Sequence, residues 1–152
     1  MSETCKEKLH KIFLSISTII ILHGVALTVT CDGSINLAML KFFTVLSNLL
    51  LCGAFIARLV RYSRNDTQYL SFSALISIAV TFMVYNFVLV PFDGADSVFV
   101  FPSSVIVFPS YENFVTHLLS TILAFASYLF FEKKKGFNFR HMLVGMAFPI
   151  IY

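Results

Sequence analysis

The chain has 152 residues, of which 58% are hydrophobic and 12% charged, and its mean hydropathy is +0.85. A soluble domain is about 25% charged, so this composition excludes an ordinary soluble fold and points to a membrane protein. The net charge of +3 is small, and no basic patch is interleaved with aromatics, which argues against nucleic acid as a partner.

Spanning a bilayer takes about 20 mostly apolar residues. The first qualifying stretch runs from Ile12 to Val29 and is preceded by Lys6, Lys8 and Lys11. It reads poorly as a cleaved signal peptide: His23 interrupts the apolar part, and Thr30 is a poor residue before a lipidated Cys. The second stretch, Leu37 to Leu59, ends among Arg58, Arg61 and Arg64. It contains Thr44, Ser47 and Asn48, whose i, i+3, i+4 spacing puts them on one helix face. The third stretch runs from Leu70 to Pro91.

The connection from Phe92 to Tyr111 contains "DGADSVFVFPSSVIVFPSY", with "VFPS" at Val100 and again at Val107. Proline breaks it too often for a span. It is expected to lie in the headgroup region or to cover an outer-leaflet pocket. The fourth stretch, Asn113 to Phe131, is followed by Lys133, Lys134, Lys135 and Arg140. A fifth apolar run, Met142 to Tyr152, is too short to span. A half-helix in lipid leaves carbonyls unpaired, so the sequence is expected to be a fragment of a longer protein.

The predicted fold class is therefore all-α. It is a multi-pass transmembrane helix bundle, one membrane domain over 1–152. Its spans are 12–29, 37–59, 70–91, 113–131 and an incomplete 142–152. Every Lys and Arg except Lys41 falls on one side of this alternation. The positive-inside rule then places the N-terminus in the cytoplasm, in the plasma or inner membrane if the source is bacterial. Lys41 can snorkel to the outer interface. Cys5, Cys31 and Cys52 fall at different depths without metal-type spacing, which predicts free thiols.

Depth brings a set of polar residues together. At 1.5 Å per residue, Thr44 and His23 lie about 10 Å from the outer ends of their spans, and Tyr85, Asn86 and His117 roughly 6–8 Å. With Asn48 they form one predicted outer layer, where intramembrane polar groups face a bundle interior or a cavity. In the plainer reading these residues pack helices together through hydrogen bonds. In the chemical reading His117 takes the proton of Thr44, which attacks a lipid ester carbonyl. His23, Tyr85 or Asn86 then orients the base or stabilises an oxyanion. No Asp or Glu lies within the four predicted spans, so no acid completes a triad, and a carboxylate metal site is not expected.

Two segments carry a resemblance. "LKFFTVLSNLL" and "NFVTHLLSTILAF" resemble the androgen-induced protein family, integral membrane hydrolases of fatty acid esters of hydroxy fatty acids. With "TFMVYNFVLVP" and "GMAFPIIY" they are more similar still to bacterial and eukaryotic-microbe members of that superfamily, known only as multi-pass membrane proteins. The resemblance covers most of the chain from Leu40 onward. It implies a catalytic threonine in the second span and a catalytic histidine in the fourth, which carry over to Thr44 and His117. It also implies a further span after "FPIIY". One departure is Ile122, where the resemblance implies Pro in the animal hydrolases.

The function expected from the sequence is thus a Thr/His intramembrane hydrolase of lipid esters, with membrane lipid as partner and no cofactor or metal. The alternative is a non-enzymatic multi-pass protein that binds lipid or transports a small solute, with His23, Asn48, Tyr85 and Asn86 lining its site. A third reading, haem held axially by His23 and His117, needs the two imidazoles to face each other.

Overall fold

The computed structural model describes residues 3–31, 34–61, 67–89, 110–131 and 139–151. Helix α1 spans Glu3–Val29. A short antiparallel hairpin follows, β1 (Thr30–Cys31) against β2 (Ser34–Ile35), with Thr30 opposite Ile35. A 3₁₀ turn, Leu37–Lys41, is capped by the Asn36 side chain, which accepts the Ala38 N–H at 3.1 Å. Helix α2 is Phe43–Val60. Helix α3 covers Thr67–Val84 and continues as a π turn over Tyr85–Leu89. Helix α4 is Tyr111–Phe131, α-helical at both ends and π-helical over Phe114–Leu119. Helix α5 is Phe139–Ile151.

The fold is an all-α bundle in which four helices are long and apolar enough to cross a membrane: Cys5–Val29, Phe43–Val60, Thr67–Leu89 and Tyr111–Phe131. This is the architecture of an integral membrane protein. The helices form an antiparallel ring in which α1 touches α2 and α4, and α3 touches α2 and α4. The fifth helix packs on α3. His10, Arg58, Thr67 and Ser127 mark one end of the ring, here the proximal end. His23, Thr44, Tyr85, Tyr111 and His117 mark the distal end.

Sequence explains which face of α1 turns inward. His10, Leu14, Ser17, Thr18, Ile21, Gly24 and Val25 are buried, at alternating steps of three and four. That is the spacing of a seam packed against neighbouring helices. Ile12, Ile16, Ile19 and Leu22 on the other faces are exposed. Apolar side chains cover the outside, and the seam mixes Leu14, Ile21 and Val25 with small or polar residues, because lipid provides no hydrophobic force that sorts apolar side chains inward. With 27 residues, α1 is about 40 Å long, more than the roughly 30 Å of hydrocarbon. Its first turns, with a Lys11–Glu7 ion pair at 2.7 Å, therefore have length to spare beyond the bilayer.

Two glycines set close approaches. A Cβ on Gly24 would stand 2.5 Å from Val115 Cγ1, so Gly24 brings α1 against the π turn of α4. A Cβ on Gly145 would stand 2.6 Å from the Phe72 ring, which seats α5 on α3. Within α5, Pro149 has no N–H to give the carbonyl four residues back, which is that of Gly145. The Ser73 hydroxyl donates to Gly145 O instead, at 3.4 Å. A substitution for a lost backbone bond is what allows proline inside a membrane helix.

The first helix begins nine residues before Ile12, at Glu3, and the lysines expected to flank the span lie on it. The second span opens with the 3₁₀ turn and becomes α-helical only at Phe43. The Val100 and Val107 repeat and Lys133 to Lys135 lie outside the described residues.

Candidate functional site

The distal site is built around two π turns. A π turn sends the backbone N–H to the carbonyl five residues back and leaves one residue out of the α-helical ladder. In α4 the Ser120 N–H reaches Val115 O. The Thr116 carbonyl is then available to side chains, and it accepts Asn48 Nδ2 at 2.9 Å and Ser120 Oγ at 3.0 Å. Asn48 Nδ2 also donates to Thr44 O at 2.8 Å. One amide nitrogen thus holds the first turn of α2 to the π turn of α4.

His117 follows Thr116 and is buried at 6% exposure. Its ring stacks on Tyr85, centroids 3.5 Å apart and planes 16° from parallel. Tyr85 opens the π turn of α3, so the two irregular segments meet through this ring pair. His117 Nδ1 is shut off from solvent without a hydrogen-bond partner. Stacking, and no hydrogen bond, orients this imidazole. Next to Tyr85, buried Asn86 donates from Nδ2 to Phe82 O at 2.8 Å.

Thr44 lies in the first turn of α2, half-buried. Its carbonyl accepts both Asn48 Nδ2 and Ser47 Oγ. Its hydroxyl makes no hydrogen bond among the described residues. This sets it apart from Thr18, Thr28, Thr30, Thr81, Thr116 and Thr121, whose hydroxyls each donate to the carbonyl four residues back. The reason is local. Phe42 is extended, at φ −74° and ψ 136°, and separates the 3₁₀ turn from α2. No regular helical turn lies beneath Thr44 to accept its proton.

A hydroxyl chain supports this turn from behind. Ser47 Oγ lies 3.0 Å from Thr44 O and 2.7 Å from Thr81 Oγ1, which lies 3.1 Å from Ser77 O. Two hydroxyls own two protons, and three approaches compete for them. The chain therefore has two proton orders, one donating toward Thr44 O and one toward Ser77 O.

The structure thus bonds Asn48 to the Thr44 carbonyl and to the Thr116 carbonyl beside His117, and stacks His117 on Tyr85, with Asn86 next to Tyr85 in the chain. It places His23 elsewhere. His23 is exposed, shares a hydrogen bond with the Tyr111 hydroxyl at 3.4 Å, and meets that ring edge-on at 5.6 Å. Its neighbour Gly24 faces α4. The predicted layer grouped His23 with these residues by depth, and rotation about the axis of α1 takes it out of the buried cluster. An axial pair of His23 and His117 has no geometric support. No group of three or more His, Cys, Asp or Glu able to hold a metal occurs among the described residues.

Sequence reasoning missed a polar cluster at the proximal end. His10 is fully buried, shares a hydrogen bond with Ser127 Oγ at 3.4 Å, and stacks on Phe131 at 4.5 Å and 4°. Arg58, expected as a flanking charge, is 6% exposed and donates from Nη1 to Thr67 Oγ1 at 2.8 Å. The available signal was spacing: His10 is four residues before Leu14 and seven before Ser17, in register with the buried seam.

Compared with known proteins, the chain matches no protein-family model, no curated protein and no solved structure.

Proposed function

We propose that this membrane protein is a lipid ester hydrolase whose nucleophile is Thr44 and whose general base is His117, at the distal end of the bundle. The observation that carries the reading is the presence of two uncommitted groups on elements held together by one amide. The Thr44 hydroxyl is not spent on a backbone carbonyl. The His117 ring is fixed by a stack and leaves Nδ1 without a partner. Asn48 binds the backbone of both segments.

In this mechanism a nitrogen of neutral His117 accepts the Thr44 proton as Oγ1 bonds to the ester carbon. The tetrahedral intermediate collapses, the C–O bond to the alcohol breaks, and the imidazolium returns the proton to the leaving oxygen. Water, deprotonated by the same imidazole, then cleaves the acyl-threonine. The likeness of "LKFFTVLSNLL" and "NFVTHLLSTILAF" to the androgen-induced protein family supports the same two residues. The basic residues at the proximal end support a cytoplasmic N-terminus, which puts the site toward the outer leaflet.

A second reading has its own observation. Buried polar atoms without partners suit a site that binds a lipid without cleaving it. Fluorophosphonate labelling of the detergent-purified protein separates the two. The hydrolase reading expects a labelled band that is lost in both Thr44→Ala and His117→Ala. Folded wild type without labelling would give the binding reading precedence.

A further inference from the structure

Past its charged first turns, α1 exposes two polar side chains, Ser15 and His23. Ser15 Oγ donates to Lys11 O at 2.9 Å, so the helix itself meets its demand. His23 is different. Its one hydrogen bond among the described residues joins Nδ1 to the Tyr111 hydroxyl at 3.4 Å, and Nε2 is left over. His23 lies six residues before Val29, the last residue of α1, which is about 9 Å in from that end. A polar nitrogen turned outward at this depth is costly, and acyl chains offer it neither donor nor acceptor.

The surrounding face is suited to another helix. Leu9, Ile12, Ile16, Ile19, His23 and Ala26 are all exposed. They succeed one another at steps of three and four, in one stripe on the side of α1 away from its buried seam. The isoleucines are β-branched and stiff at χ1, so packing them costs little side-chain freedom. Ala26, one turn beyond His23, lets a neighbouring backbone come close, as small residues do at helix contacts in membranes. Any outward helix face shows this spacing. The unmet imidazole nitrogen within the stripe distinguishes this one.

We propose that this face of α1 pairs with the same face of a second copy of the chain, His23 bonding the partner's His23. Copies of one membrane protein insert with the same topology, so a two-fold axis relating them runs along the membrane normal. Each residue near that axis meets its own counterpart at the same depth. The hydrogen bonding is self-complementary. A neutral imidazole has one donor and one acceptor, and a tyrosine hydroxyl serves as either. In one subunit the Tyr111 hydroxyl donates to His23 Nδ1, and Nε2–H donates across the axis. The partner's His23 accepts at Nε2 and donates from Nδ1–H to the partner's Tyr111. All four imidazole nitrogens are then bonded. This pairing is independent of the hydrolase reading, because His23 lies outside the buried cluster.

The test uses the full chain in phosphatidylcholine vesicles. Energy transfer between donor- and acceptor-labelled copies, followed as the vesicles are diluted with lipid, gives the dissociation constant of the dimer. His23→Phe keeps a ring beside Tyr111 and removes both nitrogens. It should raise that constant at least about threefold, the scale of one hydrogen bond between membrane helices. Oxidative cross-linking locates the face. With the native cysteines replaced by alanine, Ile19→Cys should form a disulfide between copies. Ile56→Cys, at an exposed position of α2, should not. Wild type that stays monomeric at every lipid dilution would overturn the proposal. So would equal cross-linking of the two cysteine variants, or an unchanged dissociation constant in His23→Phe.

Discussion

Tyr85 and His117 lie ring on ring, 3.5 Å between centroids, each on a π turn of a different helix. The stack gives the imidazole a fixed plane without occupying either ring nitrogen. A histidine oriented by a hydrogen bond loses one nitrogen to its partner. This one retains both for a ligand or a proton transfer.

The first prediction concerns that ring pair. Tyr85→Phe keeps the stack and should keep probe labelling of Thr44 within about twofold. Tyr85→Leu removes an aromatic contact worth about 0.5–1.5 kcal/mol and frees the imidazole to rotate. Labelling should then fall at least about fivefold, a loss comparable to that energy. Labelling rates for the two variants side by side would decide it. Equal rates would show that the stack does not orient His117.

Asn48 predicts a stability effect. Asn48→Leu removes the donor shared by the carbonyls of Thr44 and Thr116, leaving each its serine hydroxyl, and loses two hydrogen bonds worth about 0.5–1.5 kcal/mol each. Asn48→Asp, when ionised, cannot donate and should be at least as damaging. Midpoints of denaturant unfolding in detergent would report it. An unchanged midpoint in Asn48→Leu would mean that other groups satisfy those carbonyls.

Gly24 predicts a steric coupling. Gly24→Ala puts a methyl group where Val115 Cγ1 stands 2.5 Å away. Overpacking of this kind typically costs about 1–3 kcal/mol. Val115→Ala should recover most of that loss when combined with Gly24→Ala, and the double-mutant cycle gives the coupling energy. Additive losses would place the clash elsewhere.

The sequence made the spans legible because hydropathy and charge need no knowledge of rotation. They gave the number of long helices and an expected depth for each polar residue. They could not fix azimuth. His23 and His117 were expected at one depth, yet His117 is buried against Tyr85 and His23 is exposed beside Tyr111. His10 was obscured for a related reason. It stands among Lys8 and Lys11, where charge outweighs the seam periodicity that buries it. The π turns left no sequence mark, because neither hydropathy nor charge reports the step of the backbone hydrogen bonds.

Pro149 predicts an interaction across helices. Pro149→Ala would restore an N–H for the Gly145 carbonyl, and the Ser73 hydroxyl would no longer be its main donor. Ser73→Ala should therefore destabilise the natural sequence by about 0.6 kcal/mol, the usual scale of a hydrogen bond between membrane helices. In the Pro149→Ala background it should cost less. Thermal unfolding of the four proteins measures the difference, and identical costs would dissociate Ser73 from proline accommodation.

The π turn of Phe114–Leu119 also makes α4 one residue longer than a regular helix joining the same end points. Each residue of an α-helix advances the chain by 100°. Deleting one residue from this stretch would allow a regular helix to close, with everything on one side of the deletion turned by that angle relative to the other. Tyr111 and His117 could then not both keep their present neighbours. This short stretch serves as a phase adjuster between the two halves of α4. Substitutions within it would be weighed by size and polarity, as in any helix. Changes in its length would be weighed by rotation, and a single-residue deletion there would cost either His117 its place on Tyr85 or Tyr111 its place beside His23.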